Sequence, residues 1–346
     1  MTARIRILGA GVAGLAAAAL LPRSGAEVTL VDQDFSPPAL GTSLGIFPAA
    51  QRALAELGVL DEVRRRSAAP RTGVIRGTDG RVLAQVPAGG ALLVPRTDLT
   101  AILRAAIPAS VRREQRRVRD VRPELAAADV LVGADGLHSL VRRSGWGGVA
   151  DRARARRHGV TVLRGVTPQP PPEISETWGG SWLFGITPLA LGGTNWFAAL
   201  PEHRASSVAG DLAHLRTVAG GRFDHVDEVL AAASPERTVV HGIATAPITI
   251  PVRDHVVLIG DAAHAMTPNL GHGANTALED ALALARCLDG AHGQRALRGA
   301  LRRYALRRTP PDTAWQLGSL AMTHLAMAEG RRARIRDRVL GSIGPR

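Results

Sequence analysis

Residues 4–34 read RIRILGAGVAGLAAAALLPRSGAEVTLVDQD. Ile5, Ile7 and Leu8 make a first strand, and Ala13 to Leu21 is a strong helix former that Pro22 and Gly25 end. Glu27–Val31 is a second strand. Between the first strand and the helix stands Gly9-Ala10-Gly11-Val12-Ala13-Gly14, a GxGxxG pattern. The first glycine allows the turn, the second lets a pyrophosphate approach the backbone, and the third lets helix and strand pack closely. The amides of the helix N-terminus, around Val12 and Ala13, then face the phosphates. Asp32 ends the second strand, where an acid can bind a ribose hydroxyl, and Gln33 follows it. A plain glycine turn is the alternative, and the strand and helix on either side weigh against it. NAD(P) and FAD both remain open as the dinucleotide at this point.

The rest of the chain narrows the class. Its 346 residues suffice for one large domain or two ordinary ones, and 45% apolar against 21% charged is a globular balance. No apolar run approaches the roughly 20 residues that span a bilayer, so no membrane span is expected. The N-terminus enters a strand almost at once and lacks the pattern of a cleaved signal. Cys287 alone cannot form an internal disulfide and fits a reducing, cytoplasmic location. The net charge of +13 raises nucleic acid as a partner, yet all 43 basic residues are arginine and are spread along the chain. The denser runs, Arg112–Arg119, Arg152–Arg157 and Arg331–Arg338, have no interleaved aromatics on which bases could stack. They read as solvated faces, although a basic patch can attract a phosphorylated cofactor.

QRALAELGVLDEVRRR (51–66) is an amphipathic helix with a break at Gly58. TGVIRGTDGRVLAQVP (72–87) is a hairpin about Asp79-Gly80, and RTDLTAILRAAIP (96–108) is helical. A short buried strand, Asp129–Val132, precedes Gly133-Ala134-Asp135-Gly136-Leu137-His138-Ser139-Leu140-Val141-Arg142. Residues 158–200 hold strand-like pieces rich in Trp, Gly and Pro, and 206–232 look mixed helical. Residues 256–288, VVLIGDAAHAMTPNLGHGANTALEDALALARCL, run from a buried strand through Gly260-Asp261 into Pro268-Asn269-Leu270-Gly271-His272-Gly273-Ala274-Asn275 and a long helix.

These three motifs, in this order along nearly the whole chain, resemble the FAD-dependent monooxygenases of the para-hydroxybenzoate hydroxylase type, the class A flavoprotein monooxygenases. The resemblance implies an α/β fold: a Rossmann-like, GR2-type FAD-binding domain interrupted by a β-sheet-rich substrate domain, with C-terminal helices. Residues 1–70, 93–152 and 250–346 would form the first, and 71–92 with 153–249 the second. Gly9, Gly11, Val12, Ala13 and Gly14 would cradle the FAD pyrophosphate, with Asp32 and Gln33 at the adenosine ribose. Arg96, in an Arg-x-x-Leu pattern with Leu99, would contact the ribityl-phosphate side. Asp135 would serve both FAD and NAD(P)H, and Asp261 the ribityl chain. The turn carrying Pro268, Gly271, Gly273, Ala274 and Asn275 would lie against the isoalloxazine. Amides at that helix N-terminus suit a ring that becomes negative on reduction, and glycines let the backbone come close.

The implied function is NADPH- or NADH-consuming insertion of one atom of O2 into an aromatic, polycyclic or unsaturated small molecule, through C4a-(hydro)peroxyflavin. A Baeyer–Villiger or epoxidising variant, or a flavin-binding relative without this activity, are the alternatives. A monomer or homodimer is expected. The compact size and arginine-only usage agree with natural-product tailoring or aromatic catabolism. Trp178, Trp182, Phe184, Trp196 and Phe197 crowd one segment of a chain that is 3% aromatic. Some would be sheet core; Trp178, Trp182, Phe184 and Trp196, with Phe47 and Pro268, are the expected cavity lining. No catalytic acid or base is identified, and no metal site is expected.

Three positions depart from the family pattern. His272 stands where glutamine is frequent, and reads as a harmless substitution in preference to a pH-sensitive group near the flavin. Gln33 replaces the arginine that commonly follows the ribose-binding acid. The segment between Arg96 and Asp135 is too short for the usual β-meander. No thioredoxin-like extension of the phenol hydroxylase kind is expected. WGGSWLFGITP (178–188) imperfectly resembles the Trp-x-Trp-x-Ile-Pro element of flavin-dependent halogenases, but their lysine has no counterpart in a chain without lysine. A plain NAD-dependent dehydrogenase would leave the second and third motifs unexplained.

Overall fold

A computed structural model describes residues 2–38, 40–146, 153–202 and 207–343. Strand β1 (Arg4–Leu8) runs into helix α1 (Val12–Leu20) and returns as β2 (Glu27–Asp32). β3 (Ser43–Ile46), α2 (Pro48–Leu57) and α3 (Leu60–Arg65) follow, the two helices separated at Gly58, which takes φ 78°. β4 (Thr72–Arg76) and β5 (Val82–Pro87) form the hairpin about Asp79-Gly80. Next come β6 (Leu92–Pro95), α4 (Arg96–Ala105), β7 (Arg112–Gln115), α5 (Arg122–Ala126), β8 (Val130–Gly133) and α6 (Leu140–Trp146). β9 (Arg156–Thr167), β10 (Ser175–Trp178), β11 (Leu183–Pro188) and β12 (Thr194–Pro201) lead to α7 (Val208–Ala219), α8 (Asp224–Ala232) and β13 (Thr238–Thr245). The chain closes with β14 (Val252–Arg253), β15 (Val256–Leu258), α9 (Asp261–His264), α10 (Gly273–Leu288), α11 (Gln294–Ala326) and α12 (Gly330–Ile343).

Two large sheets organise these elements. The first has the order β14-β15-β8-β1-β2-β7, parallel from β15 to β7. A parallel sheet is covered on both faces, which is why β8, VLVG, is buried at every position. One face packs Ile5, Ile7 and Leu30 against Leu15, the alanines of α1, and Leu278 and Leu284 of α10. The other packs Leu8, Leu131 and Leu258 against Val121, Val141 and Ala262. The buried Cys287 belongs to the first cluster. Between β7 and β8 there is only one helical turn, α5, so the short segment noted in the sequence carries no meander.

The second sheet has the order β13-β9-β12-β11-β10-β4-β5, drawing its strands from 72–87 and 156–245. Its two faces differ. Leu163, Trp182, Phe184, Ile186, Trp196 and Ala198 lie beneath Leu212 and Leu215 of α7 and Val226 and Leu230 of α8. The opposite face carries Val162, Leu183 and Ala199, together with Asn195, whose Oδ1 accepts the Ser43 amide at 2.8 Å and ties this face to the first half of the chain. Helix α12 folds back on β5, and Asp337 accepts from both the amide and the hydroxyl of Thr78. The Arg331–Arg338 run is thereby placed. Arg331, Arg332, Arg334 and Arg338 are exposed, while Arg336 is buried, stacked 5.2 Å over Trp178 and bonded to the carbonyls of Ala326 and Trp178. In the Arg152–Arg157 run, Arg152 lies outside the described residues.

Candidate active site

Gly9, Asp32, Asp135 and Asp261 all follow the carboxyl ends of parallel strands, where open α/β sheets bind ligands. The glycines have distinct surroundings. A Cβ on Gly14 would fall 1.8 Å from the Gly9 carbonyl oxygen, and one on Gly9 2.2 Å from that of Ala134. These two are demanded by backbone packing. Gly11 has φ −75°, and a Cβ there would meet nothing within 4 Å. Its bareness serves no contact within the protein and leaves room for a ligand at the α1 N-terminus. The two oxygens of Asp32 accept the amides of Ala10 and Asp34, which fix the carboxylate at the strand end with acceptor capacity to spare. Gln33 is exposed.

Asp135 proves to be a helix cap. Its carboxylate accepts the Ser139 hydroxyl and the amides of Leu140 and Val141, closing the first turn of α6. The side chain expected to serve FAD and NAD(P)H is therefore committed to its own loop. Arg142 closes the second motif, and its role was not legible in the sequence. It is fully buried and donates to the carbonyls of Leu137, Ala153 and Ala262, so it clamps the second motif to the third. Burial is the main influence lowering its pKa.

Asp261 opens α9 with an exposed carboxylate that accepts no hydrogen bond from the described protein. It faces the N-terminus of α10: a Cβ on Gly273 would stand 3.9 Å from its Oδ1. Gly260 before it takes φ 57° and is pressed against Ala13, where a Cβ would come to 2.8 Å. Behind this turn lies a buried polar network. Asp280 accepts the Gly260 amide at 2.8 Å, His264 Nε2 at 2.6 Å and Arg308 at 2.8 Å, and Arg308 also reaches Glu279 and Asp312. His264, Asp280 and Asp312 could be read as a metal triad, but the Arg308 guanidinium already sits on both carboxylates. Burial pulls the His264 pKa down, yet the charge and hydrogen bond of Asp280 outweigh it and raise it to about 9. Asp280 is held below the usual range against its burial, chiefly by His264, whereas burial and Asp280 push Asp312 up.

The turn before α10 is braced from outside. Asn275, 1% exposed, accepts the Phe47 amide and donates to the carbonyls of Gly45 and Gly271. Its side chain therefore shapes the turn and leaves only its backbone to a cofactor. His272 stacks between Phe47, at 4.7 Å, and Trp315, at 3.5 Å, with Nδ1 against the Leu270 carbonyl. It is a packing residue, and Phe47 is its partner. Gly271 takes φ 65°, and Pro268 begins a half-open 3₁₀ turn, so backbone lines this side.

The expected aromatic lining is largely overturned. Trp182, Phe184 and Trp196 occupy the face under α7 and α8 at 2% exposure or less, because alternation along β11 and β12 turns them away from Asp261. Trp178 is on the other face but is 3% exposed beneath Arg336. Phe197 does lie on the inward face, paired with Gly185 and with Arg164. Glu176 shares this face; burial raises its pKa, and it accepts Trp178 Nε1 at 2.6 Å. Arg96 is exposed at the start of α4, and its charge is felt by Arg164 and by His241, whose pKa burial and then Arg164 and Arg96 hold down to about 4.

The features fit FAD: open space at Gly11, two helix N-termini, and an unpartnered carboxylate at Asp261. A sequence profile of the FAD binding domain matches residues 2–145 and 208–317. Over 343 residues the chain is 32% identical to 3-amino-4-hydroxybenzoate 2-monooxygenase of Streptomyces cremeus, covering 89% of this chain and 83% of that one. It is 27% identical to 6-hydroxynicotinate 3-monooxygenase of Bordetella bronchiseptica, over 83% and 82% of the two chains. The structure of Klebsiella pneumoniae HpxO with FAD and uric acid has the same fold, with a TM-score of 0.84 at 22% identity over 98% and 93% of the chains. The chain belongs to the FAD-dependent monooxygenases of the aromatic hydroxylase type.

Proposed function

We propose that the protein uses NADPH or NADH and O2 to insert one oxygen atom into an aromatic small molecule. The balanced reaction consumes substrate, O2, NAD(P)H and a proton, and yields hydroxylated substrate, NAD(P)+ and water. The observation that carries this is the convergence of the α10 N-terminus, the unpartnered Asp261 carboxylate and the inward face of the second sheet. FAD, when bound, supplies hydride acceptance and oxygen activation.

The chain's own residues divide the remaining work. Gly9, Gly11, Val12, Ala13 and Gly14 bind the pyrophosphate, with Asp32 at the ribose and Arg96 beside the phosphate side of the ribityl chain. Asp261 takes the ribityl hydroxyls. Amides at Gly273, Ala274 and Asn275 put partial positive charge where the ring gains negative charge on reduction. Pro268 and Gly271 form the wall of backbone next to it. The apolar part of the inward face, Val162, Leu183, Ala199 and Phe197, keeps water from the reacting atoms. The relatives' named substrates, 3-amino-4-hydroxybenzoate and 6-hydroxynicotinate, support an electron-rich ring as the acceptor. Purified protein is expected to be yellow, and NAD(P)H to bleach it faster when an acceptable aromatic is present. A colourless protein that cannot take up FAD contradicts this function.

A further inference from the structure

Glu176 stands in β10 on the inward face of the second sheet, in register with Gly185 of β11, and Gly185 is in register with Phe197 of β12. Gly185 has no side chain, and the Phe197 ring fills the gap: a Cβ on Gly185 would fall 2.0 Å from it. Paired residues of a ladder share a face, so the Glu176 carboxyl rises beside that ring. Trp178, two residues on, shares the face and forms the next part of the wall. Met322 of α11 packs on this group, and its neighbour Thr323 is bonded to Thr267 and Asn269, on either side of Pro268. Glu176 therefore belongs to the wall of the space between the sheet and the turn before α10.

Glu176 keeps part of its surface open although the protein encloses it, which is the position of a cavity wall. Burial is the main influence raising its pKa, and only Trp178 Nε1, which donates to Oε1 at 2.6 Å, opposes it. No cation pairs with this carboxyl among the described residues. Arg76 of β4 projects to the other face, where Glu173 holds it by two bonds, and Arg336 of α12, stacked over Trp178, is paired with Asp337. β5, β11 and β12 carry no charged residue, and His324 of α11 is exposed. Ionising a carboxyl in such a place without a cation is unfavourable, so the group is held neutral. A neutral carboxyl offers an O–H at one oxygen. The other oxygen, Oε1, keeps an acceptor site after Trp178 takes one lone pair. Donor and acceptor stand side by side, the complement of an N–H next to a C=O. Arg336 also donates to the Trp178 carbonyl, so the indole that orients this carboxyl is itself held from behind.

We infer that Glu176 pairs with an amide-like edge of the substrate, a ring N–H adjacent to a ring C=O, with Phe197 against the ring, and that the cavity takes lactam heteroaromatics of the 2-pyridone type. This rests on the monooxygenase function proposed above. The substrate N–H donates to Oε1, and Oε2–H donates to the substrate carbonyl. Glu176 is then a specificity-determining residue, because a ring that lacks either group leaves its enclosed carboxyl unpaired.

The test titrates FAD-loaded protein with 2-pyridone and 2-quinolone, each beside its N-methyl and O-methyl derivatives, read by perturbation of the flavin absorption. The lactams are expected to bind about tenfold or more tighter than the methylated rings, the ratio that one or two enclosed hydrogen bonds support. Glu176→Gln presents the same donor and acceptor and keeps the preference, whereas Glu176→Met abolishes it. In the wild type the preference declines as pH rises and the carboxyl ionises, because the neutral form is the one that pairs; in Glu176→Gln it does not change with pH. If the glutamine variant does not fold, the methionine variant and the wild-type pH profile carry the test. Methylated rings that bind the wild type as well as the lactams, binding of neither lactam, a methionine variant that keeps the preference, or a FAD-loaded glutamine variant that loses it overturns the inference. Failure of the wild type to take up FAD is seen before any titration, and it overturns the monooxygenase function itself.

Discussion

Gly11 and Gly14 look alike in the fingerprint, yet the structure gives them opposite reasons. Gly14→Ala drives a Cβ against the Gly9 carbonyl, and backbone cannot yield as a side-chain tip can. A loss of roughly 1–3 kcal/mol or more is expected in the thermal unfolding of the FAD-free protein. Gly11→Ala meets nothing and has an ordinary φ, so that stability should change by less than about 0.5 kcal/mol. FAD titration should nevertheless show a marked loss of affinity for Gly11→Ala, because the space belongs to the cofactor. Asp261→Asn removes a charged acceptor and should weaken FAD about 10- to 100-fold. These residues were legible in the sequence because each motif fixes them within a few positions of its own strand end, β1 for the glycines and β15 for Asp261. Asp135 and Asn275 were visible as motif members but not in their roles. Asp135 caps the helix just after it, and Asn275 grips Phe47, 228 residues away. A residue type in a motif says that a polar group is needed there, not which partner needs it.

At the scale of elements, the turn between β15 and α9 is held by α10 and α11 through Asp280 and Arg308. Removing one member of a buried ionic network leaves the others uncompensated, so Asp280→Asn should cost about 3–5 kcal/mol. The network also sets a pH dependence. His264 has an ordinary value of 6.5 and about 9 in the fold, so its contribution is full below 6.5 and is lost as pH rises through about 9. Up to roughly 3 kcal/mol is at stake. Asp312, pushed up by burial, loses its folded-state proton as pH rises and acts in the same direction. Asp280, held down, contributes above its ordinary value, and that is lost in acid. The melting temperature should therefore fall between pH 7 and 10, and His264→Asn should flatten that decline; a wild-type melting temperature that holds steady to pH 10 contradicts the assignment. Helix and strand positions were mostly readable from periodicity, including the absent meander. This network was not, since its members come from α9, α10 and α11 and meet only through tertiary packing.

For the molecule as a whole, the second sheet separates stability from specificity by its two faces. Alternation in β11 and β12 was readable, but not which face the helices α7 and α8 would cover, and a slip of one residue exchanges the faces. The aromatic cluster was therefore assigned to the cavity although three of its rings are core. Trp196→Ala should cost about 3–5 kcal/mol of stability and leave the KM for the aromatic substrate unchanged in whatever fraction folds. The central claim, that this site transfers one oxygen atom to an aromatic ring, is tested most directly with the FAD-loaded protein, NADPH or NADH, 18O2 and a panel of aromatic acids, with product mass measured alongside NAD(P)H consumption. The account predicts an acid whose product gains one 18O atom per NAD(P)H consumed. NAD(P)H consumption that yields only hydrogen peroxide across the panel, with every aromatic recovered unchanged, would contradict it.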